Sequence, residues 1–167
     1  MKNYKTRFPK FLKNRYDVWK ATSYLKNEKN IKKLAKLGQK PQAMIISCCD
    51  SRVNVDSIFG AKEGDFFIHR NIANIIPPYE STKKDHSTFA AIEYATKELK
   101  VPNFIVLGHT KCGGIKAGHS QHSKGQNKKY KFISSWLSNL STAYKNTSKK
   151  LSIENQIKFL EEENIRV

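Results

Sequence analysis

The sequence predicts an α/β fold: a mainly parallel β-sheet flanked by helices, with an N-terminal helical arm. Three observations carry that prediction. Two short apolar runs, Ala43-Met44-Ile45-Ile46 and Phe104-Ile105-Val106-Leu107, read as buried strands that stop abruptly at small or polar residues. A third run, Phe66-Phe67-Ile68, lies between them, and residues with helical apolar spacing separate the three. The order strand, helix, strand, helix, strand is that of parallel strands joined by crossovers.

Taken in order, Met1 to Lys40 is helical and amphipathic. Phe8, Phe11 and Leu12 share a face that Tyr16 and Trp19 extend, and Ile31, Leu34 and Leu37 recur at helical spacing. Gly38 ends the segment as a C-cap would. The aromatic stripe is a packing surface, for this domain or for a second subunit. Gln39 and Pro41 lead into the first strand. Val53 to Phe59 forms a short helix or turn closed by Gly60, and Glu63-Gly64-Asp65 forms a turn. The strand Phe66 to Ile68 gives way to a polar loop from His69 to Asn74, and Pro77-Pro78 stops any helix. Glu80 to Asp85 is a polar, mobile loop. Ser87 or Asp85 caps a helix from about Thr88 to Lys100, with Phe89, Ile92, Ala95 and Leu99 along one face. Beyond the strand Phe104 to Leu107, Gly113-Gly114 turns the chain into a helix around Ile115 to Gly118. His119 to Lys131 is a polar, basic loop. Phe132, Trp136, Leu137 and Leu140 make one helix face, and Ile153, Ile157 and Leu160 another. The 167 residues suit a single domain. Its parts are the arm 1–38, the core 39–118 and a helical C-terminal part 119–167.

Composition narrows the function classes. No apolar run approaches the ~20 residues of a membrane span, and no apolar segment with a cleavage site follows the basic N-terminus. These features favour the cytoplasm, although the Lys-rich, acid-poor start is also compatible with a transit peptide. Three cysteines, two of them adjacent, do not make a disulfide framework; they suit metal binding or catalysis in a reducing compartment. The net charge of +17 comes from lysines spread along the whole chain. Lys far outnumbers Arg, whereas base readout favours Arg, so a solvated basic surface is expected rather than nucleic-acid binding. No Asp or Glu lies between Glu98 and Glu154. That local positive field should favour thiolate at Cys112 and attract small anions.

The chemistry concentrates at two strand ends. Cys48-Cys49-Asp50-Ser51-Arg52 follows the first apolar run, and His109-Thr110-Lys111-Cys112-Gly113-Gly114 follows Gly108 after the last. Ligands of open α/β sheets sit outside the carboxyl ends of the strands. If these two strands are neighbours and parallel, Cys48, His109 and Cys112 converge. Two thiolates and an imidazole suit Zn²⁺, one per chain, with a fourth position left for water whose pKa falls to ~7. Asp50 and Arg52 alternate with Cys48 and can pair bidentately, which holds the carboxylate ionised beside that position. Cys49 points the other way and is packed or free.

Cys48-x-Asp50-x-Arg52 with His109-x-x-Cys112-Gly113-Gly114 resembles the β-class carbonic anhydrases. Gln39-x-Pro41, Gly64-Asp65 with Phe67, Arg70-Asn71-x-x-Asn74, Pro77-Pro78-Tyr79 and Ala91-Ile92-Glu93-Tyr94-Ala95 follow in family order. The resemblance is strong from about Gly38 to Gly118. It implies reversible hydration of carbon dioxide to bicarbonate and a proton. Zinc would sit on Cys48, His109 and Cys112, with Asp50 and Arg52 as the catalytic dyad. It also implies that Gln39 binds a substrate oxygen and that Phe67, Ile72 and Tyr94 line an apolar pocket. Several of these would come from a neighbouring subunit, hence a homodimer or larger homo-oligomer. A bicarbonate-regulated subclass carries Trp where this chain has Ile45, so the arrangement with Asp50 on Arg52 is expected. The family continues past the helix holding Ile153 to Leu160 into a last strand, which this sequence does not carry. Three other readings share the chemistry or the charge. They are a zinc-binding relative without hydratase activity, a hydrolase of carbonyl sulfide or carbon disulfide, and a basic nucleic-acid-binding module.

Overall fold

The structure, a computed structural model, describes residues 8–79, 86–125 and 129–166. It divides into two compact units, the first ending at Gln39 and the second beginning at Lys40.

The first unit is helical throughout. Helix α1 (Lys10–Trp19) runs through a π-type turn at Lys20–Tyr24 into α2 (Leu25–Leu37). Tyr16 and Trp19 rings lie 5.8 Å apart, and Trp19 and Tyr24 rings 5.4 Å. Gly38, at φ 79°, takes the positive-φ conformation that ends the helix, its N–H on the Leu34 carbonyl. Met1 to Arg7 lie outside the described residues, as do the expected loop from Glu80 to Asp85 and residues 126–128.

The second unit is built on three parallel strands, β1 (Ala43–Cys48), β2 (Phe66–Asn71) and β3 (Phe104–Leu107), in the order β2-β1-β3. β1 is central and buried along its whole length. Its alternation fills both faces. Ala43 and Ile45 pack with Val55, Phe66, Ile68 and Leu107, while Met44 and Ile46 pack with Ala95, Phe67, Ile92 and Val101. Covering both faces is what a parallel sheet requires. Burying Met44, Ile45 and Ile46 completely contributes about 1.5–3 kcal/mol each. The sheet is flanked by α3 (Val55–Phe59) and by α4 (His86–Glu93), which continues as a π-type turn over Tyr94–Glu98. Helix α3 is capped by Asn54 and closed by left-handed Gly60. A helical layer follows: α5 (Gly113–Lys124), α6 (Lys131–Leu137), α7 (Ser141–Asn146) and α8 (Ile153–Glu163).

Several expected boundaries move. β2 runs three residues past Ile68, because its ladder with β1 continues through Ile46↔His69, Ser47↔Arg70 and Cys48↔Asn71. Helix α4 already holds His86 and Ser87, ahead of the expected start near Thr88, so Ser87 is not its cap, and the other cap candidate, Asp85, lies outside the described residues. The expected loop from His119 is helical as far as Lys124, because its polar side chains find partners across the layer. His119 Nε2 donates to Gln156 Oε1, Gln121 to the Ser134 carbonyl and His122 to the Leu137 carbonyl. Phe132 is 86% exposed and does not join the face that Trp136, Leu137 and Leu140 form as expected; Ile133 joins it instead. Ile153 is likewise exposed, leaving Ile157 and Leu160 to pack.

Candidate metal centre

β1 and β3 are hydrogen-bonded neighbours, with Ser47 opposite Leu107. Their ends therefore open at the same edge of the sheet. Cys48 closes β1, and the chain beyond β3 turns through His109 to Cys112, the N-cap position of α5. Lys111 adopts φ 55°, which bends this loop sharply. The ligand atoms of Cys48, His109 and Cys112 all lie within 4.8 Å of one another. Both sulfurs are buried and stand 3.9 Å apart. Tetrahedral zinc with Zn–S of ~2.3 Å needs its sulfurs roughly 3.8 Å apart, so the spacing fits.

His109 supplies an independent mark. Its Nδ1 lies 3.0 Å from the Thr110 carbonyl, which can only accept, so Nδ1 carries the proton. Nε2 then presents a lone pair, and it is buried without a hydrogen-bond partner. An imidazole nitrogen without a partner beside two thiols, with its tautomer fixed from behind, is an arrangement that could hold a metal ion.

Asp50 and Arg52 pair as the alternation predicts. Arg52 Nε donates to Oδ1 at 2.9 Å and Nη2 to Oδ2 at 2.7 Å, and the Arg52 backbone N–H adds a third bond to Oδ1. The guanidinium also donates to the Lys111 carbonyl, tying the first strand end to the second loop. The hydrogen bonds from Arg52 hold the Asp50 carboxyl well below the usual carboxylate range. Asp50 Oδ2 stands 3.9 Å from His109 Nε2, while the Asp50 N–H approaches Cys48 Sγ at 3.4 Å.

Cys112 departs from expectation. Its thiol is not favoured as thiolate by the basic stretch around it. Burial pushes it up to about 11, against the Ile115 amide, which lowers it, and with Cys48, which raises it further. Desolvation at contact outweighs a diffuse field from solvated lysines.

The remaining site residues are scattered. Phe67 and Tyr94 pack on each other with ring centroids 5.8 Å apart. Phe67 is opposite Met44, four residues before Cys48, roughly 13 Å along the strand. Ile72 is partly exposed in the turn after β2 and touches the helix start at Gly114. Gln39 is exposed at the end of the first unit. Cys49 is a free, exposed thiol on a cavity of about 520 Å³ shared with Ile72, Arg70 and Trp136.

Sequence reasoning assigned no role to two residues that shape the centre. Arg70 donates from Nε to the Cys48 carbonyl and from Nη2 to the Asp50 carbonyl, holding the end of β1. Asn71 staples the next turn by bonding both the N–H and the carbonyl of Ile75. Both stand in a polar segment that reads as loop, and their place in a strand beside Cys48 was the missing signal.

A model of the family described as carbonic anhydrase matches residues 43–167. β carbonic anhydrase 3 of Arabidopsis thaliana is 38% identical over 160 residues, which cover 93% of this chain and 61% of that protein. The chain belongs to the β-class carbonic anhydrase family. The chloroplastic β carbonic anhydrase 5 of Arabidopsis thaliana is 38% identical over 75% of this chain. A carbonic anhydrase of Helicobacter pylori is 36% identical over 70% of it. The chain spans 40% to 61% of the length of these curated relatives. Among solved structures, the β-carbonic anhydrase CcaA superposes with a TM-score of 0.85 at 29% identity, covering 94% of this chain and 70% of that one. One of two tetrameric β-carbonic anhydrases from the ascomycete Sordaria macrospora superposes with a TM-score of 0.76 at 30% identity, covering 92% and 75%. Among the described residues of this carbonic anhydrase family member, no helix is long and apolar enough to cross a membrane.

Proposed function

We propose that this protein is a zinc-dependent carbonic anhydrase catalysing reversible hydration of carbon dioxide to bicarbonate and a proton. The observation that carries the proposal is the donor set itself: two buried thiols and an orphaned imidazole nitrogen, gathered from two strand ends beside an ionised Asp50. Cys48, His109 and Cys112 would hold the ion. Zinc bound there would act as a Lewis acid, lowering the pKa of water to ~7.

Asp50 and Arg52 supply the polar half of the chemistry. Asp50 Oδ2, fixed by the guanidinium, accepts a hydrogen bond from the attacking water and aims its lone pair at the substrate carbon. A carboxylate held this far below its ordinary range is a poor proton store, so it orients the water and passes a proton on rather than keeping it. Gln39 binds a substrate oxygen, and Phe67, Ile72 and Tyr94 form the dry wall that a small apolar molecule needs. Phe67 lies too far along β2 to wall its own chain's centre, which supports a homo-oligomer in which copies complete one another's sites. The tetrameric relatives favour the same reading. On this reading, 39–118 carries the donors, 119–167 braces them and 1–38 forms the helical arm. An exposed free thiol at Cys49 suits a reducing compartment such as the cytoplasm.

The test is zinc stoichiometry beside a stopped-flow hydration assay on the 167-residue chain. One zinc per chain and a rate abolished by chelation are expected. Full zinc occupancy with no rate above background would overturn the activity while leaving the metal site standing.

A further inference from the structure

The end of α8 and the turn that follows it grip the metal loop. Glu161 Oε1 accepts from the backbone N–H of Cys112 at 2.8 Å. Asn164, three residues on, donates from Nδ2 to the Ala73 carbonyl at 3.0 Å. Ile165, four residues on, lies so close to Gly108 that a Cβ there would meet its Cδ1 at 2.6 Å. Together these residues fasten three pieces of backbone: Gly108 before His109, Cys112 itself, and the left-handed turn at Ala73.

The bond to Cys112 is the most specific of these. Cys112 occupies the N-cap position of α5, where the helix offers its N–H no acceptor, and the N3 residue that could reach back to it is the apolar Ile115. Its N–H is left to find an acceptor outside the helix, and a carboxylate is the strongest available. Fixing that N–H fixes the peptide plane from which the Cys112 side chain projects.

We propose that Glu161 is a positioning residue of the metal centre: its carboxylate anchors the Cys112 amide and so holds the sulfur at the spacing that binds the ion. This rests on the reading of Cys48, His109 and Cys112 as the ligands. Glu161 supplies no ligand atom. Its contribution is the orientation of one, and partners of that kind typically change metal affinity by about 10–100-fold. Glu163, two residues on, is engaged differently, accepting from Asn146 Nδ2 at 2.8 Å.

The experiment titrates the metal-free, reduced full chain with Co²⁺ at one fixed pH, against a competing chelator, and records the thiolate-to-cobalt charge-transfer band. Glu161→Ala should weaken Co²⁺ binding by about 10–100-fold and shift the band. Glu161→Gln keeps an acceptor oxygen without the charge and should weaken binding several-fold. Glu163→Gln, which removes a nearby acid, should match the wild type in both readouts. Should Glu161→Ala fail to fold, the near-isosteric Gln variant decides alone. Wild-type affinity and an unchanged band in Glu161→Gln would overturn the proposal. So would equal losses in the Glu161 and Glu163 variants, which would make the effect one of bulk charge. A wild type that takes up no Co²⁺ would overturn the ligand assignment and this proposal together, whereas intact wild-type binding with unaffected Glu161 variants removes this proposal only.

Discussion

Replacing Gly114 by alanine should loosen the metal centre by a steric route that can be worked from the structure. A Cβ at Gly114 would stand 2.9 Å from the Ala73 Cβ, 2.9 Å from Ile72 Cγ2 and 3.3 Å from the Ala73 backbone nitrogen. Carbon pairs prefer about 3.5–4.0 Å, so two contacts overlap by more than half an ångström. Ala73 has no rotamer with which to yield. It is fully buried at φ 64°, and its carbonyl is held by Asn164. The Trp136 indole fixes the neighbouring Ile72 carbonyl at 2.8 Å. Overpacking of this kind costs about 2–3 kcal/mol at the unyielding end of its range. Gly114 is not in the left-handed region, so alanine adds no backbone strain and recovers about 1 kcal/mol of helix propensity. The net loss is then about 1–2 kcal/mol. Urea unfolding of the metal-free, reduced chain measures it, with Gly113→Ala as control, since nothing lies within 4 Å of a Cβ there. The variant should also bind Co²⁺ more weakly, because the displaced turn abuts the start of α5. A Gly114→Ala protein as stable as the Gly113→Ala control would refute the reasoning, since the turn would then be free to move.

Other expectations follow from the same geometry. Cys48→Ser and Cys112→Ser should each lose tight zinc binding, read by metal analysis after dialysis; retention of one zinc per chain in either would exclude that residue as a ligand. Asp50→Asn should keep its zinc while hydration slows by about 10²–10⁴-fold, the range of positioned acid–base groups; unchanged turnover would reject its role. With its thiol raised to about 11, Cys112 is protonated in the metal-free protein across the physiological range, so metal uptake must expel that proton. Calorimetry in buffers of different ionisation enthalpy should show proton release at pH 7 to 8, with affinity rising as pH rises; zero release would contradict the assignment. Asp50 has the opposite sign. Its folded value is depressed, so the stabilisation from its pair with Arg52 is present above the unfolded carboxylate value of ~3.9 and is lost as pH falls through the lower folded one. Hydration measured from pH 8 down to about pH 5 should therefore show no titration assignable to Asp50.

The parts of this fold that were legible in the sequence are those whose signal is local. Ala43 to Ile46 and Phe104 to Leu107 are uninterrupted apolar runs, and the chemistry-bearing residues begin where each run ends. Two adjacent parallel strands were enough to bring Cys48 toward His109 and Cys112. The illegible parts depend on partners far along the chain. His69 and Arg70 read as loop because they are polar, yet a ladder is made by backbone groups, and β1 supplies them through Cys48↔Asn71. His119 to Lys124 also read as loop. The residues that accept from its side chains, Gln156 and the Ser134 and Leu137 carbonyls, adjoin it only once the helical layer is packed. In α6, Trp136 packs as expected, but hydrophobicity alone suggested Phe132 beside it, and Ile133 is the one turned inward. The pair Glu161 and Cys112 spans 49 residues and leaves no periodic trace at all.

The two strand ends are held in different ways. Cys48 ends the central strand, which is buried along its length and paired on both sides. Arg70 binds the Cys48 and Asp50 carbonyls, so the first donor is fixed by the sheet. His109 and Cys112 follow β3, a four-residue edge strand on which Phe104 and Ile105 are exposed. A short edge strand paired on one side only does not pin the loop beyond it. The loop takes its order from elsewhere: from Arg52 on the Lys111 carbonyl, from Ile165 against Gly108, and from Glu161 on the Cys112 amide. Two of those three come from α8 and the turn just after it. Damage to the helical layer, such as Leu160→Ala at a fully buried site, should therefore unsettle His109 and Cys112 before it disturbs Cys48. Amide hydrogen exchange resolves this order directly: residues 108–113 should lose protection while 44–48 keep theirs, and simultaneous loss in both would mean that the sheet, not α8, holds the second loop.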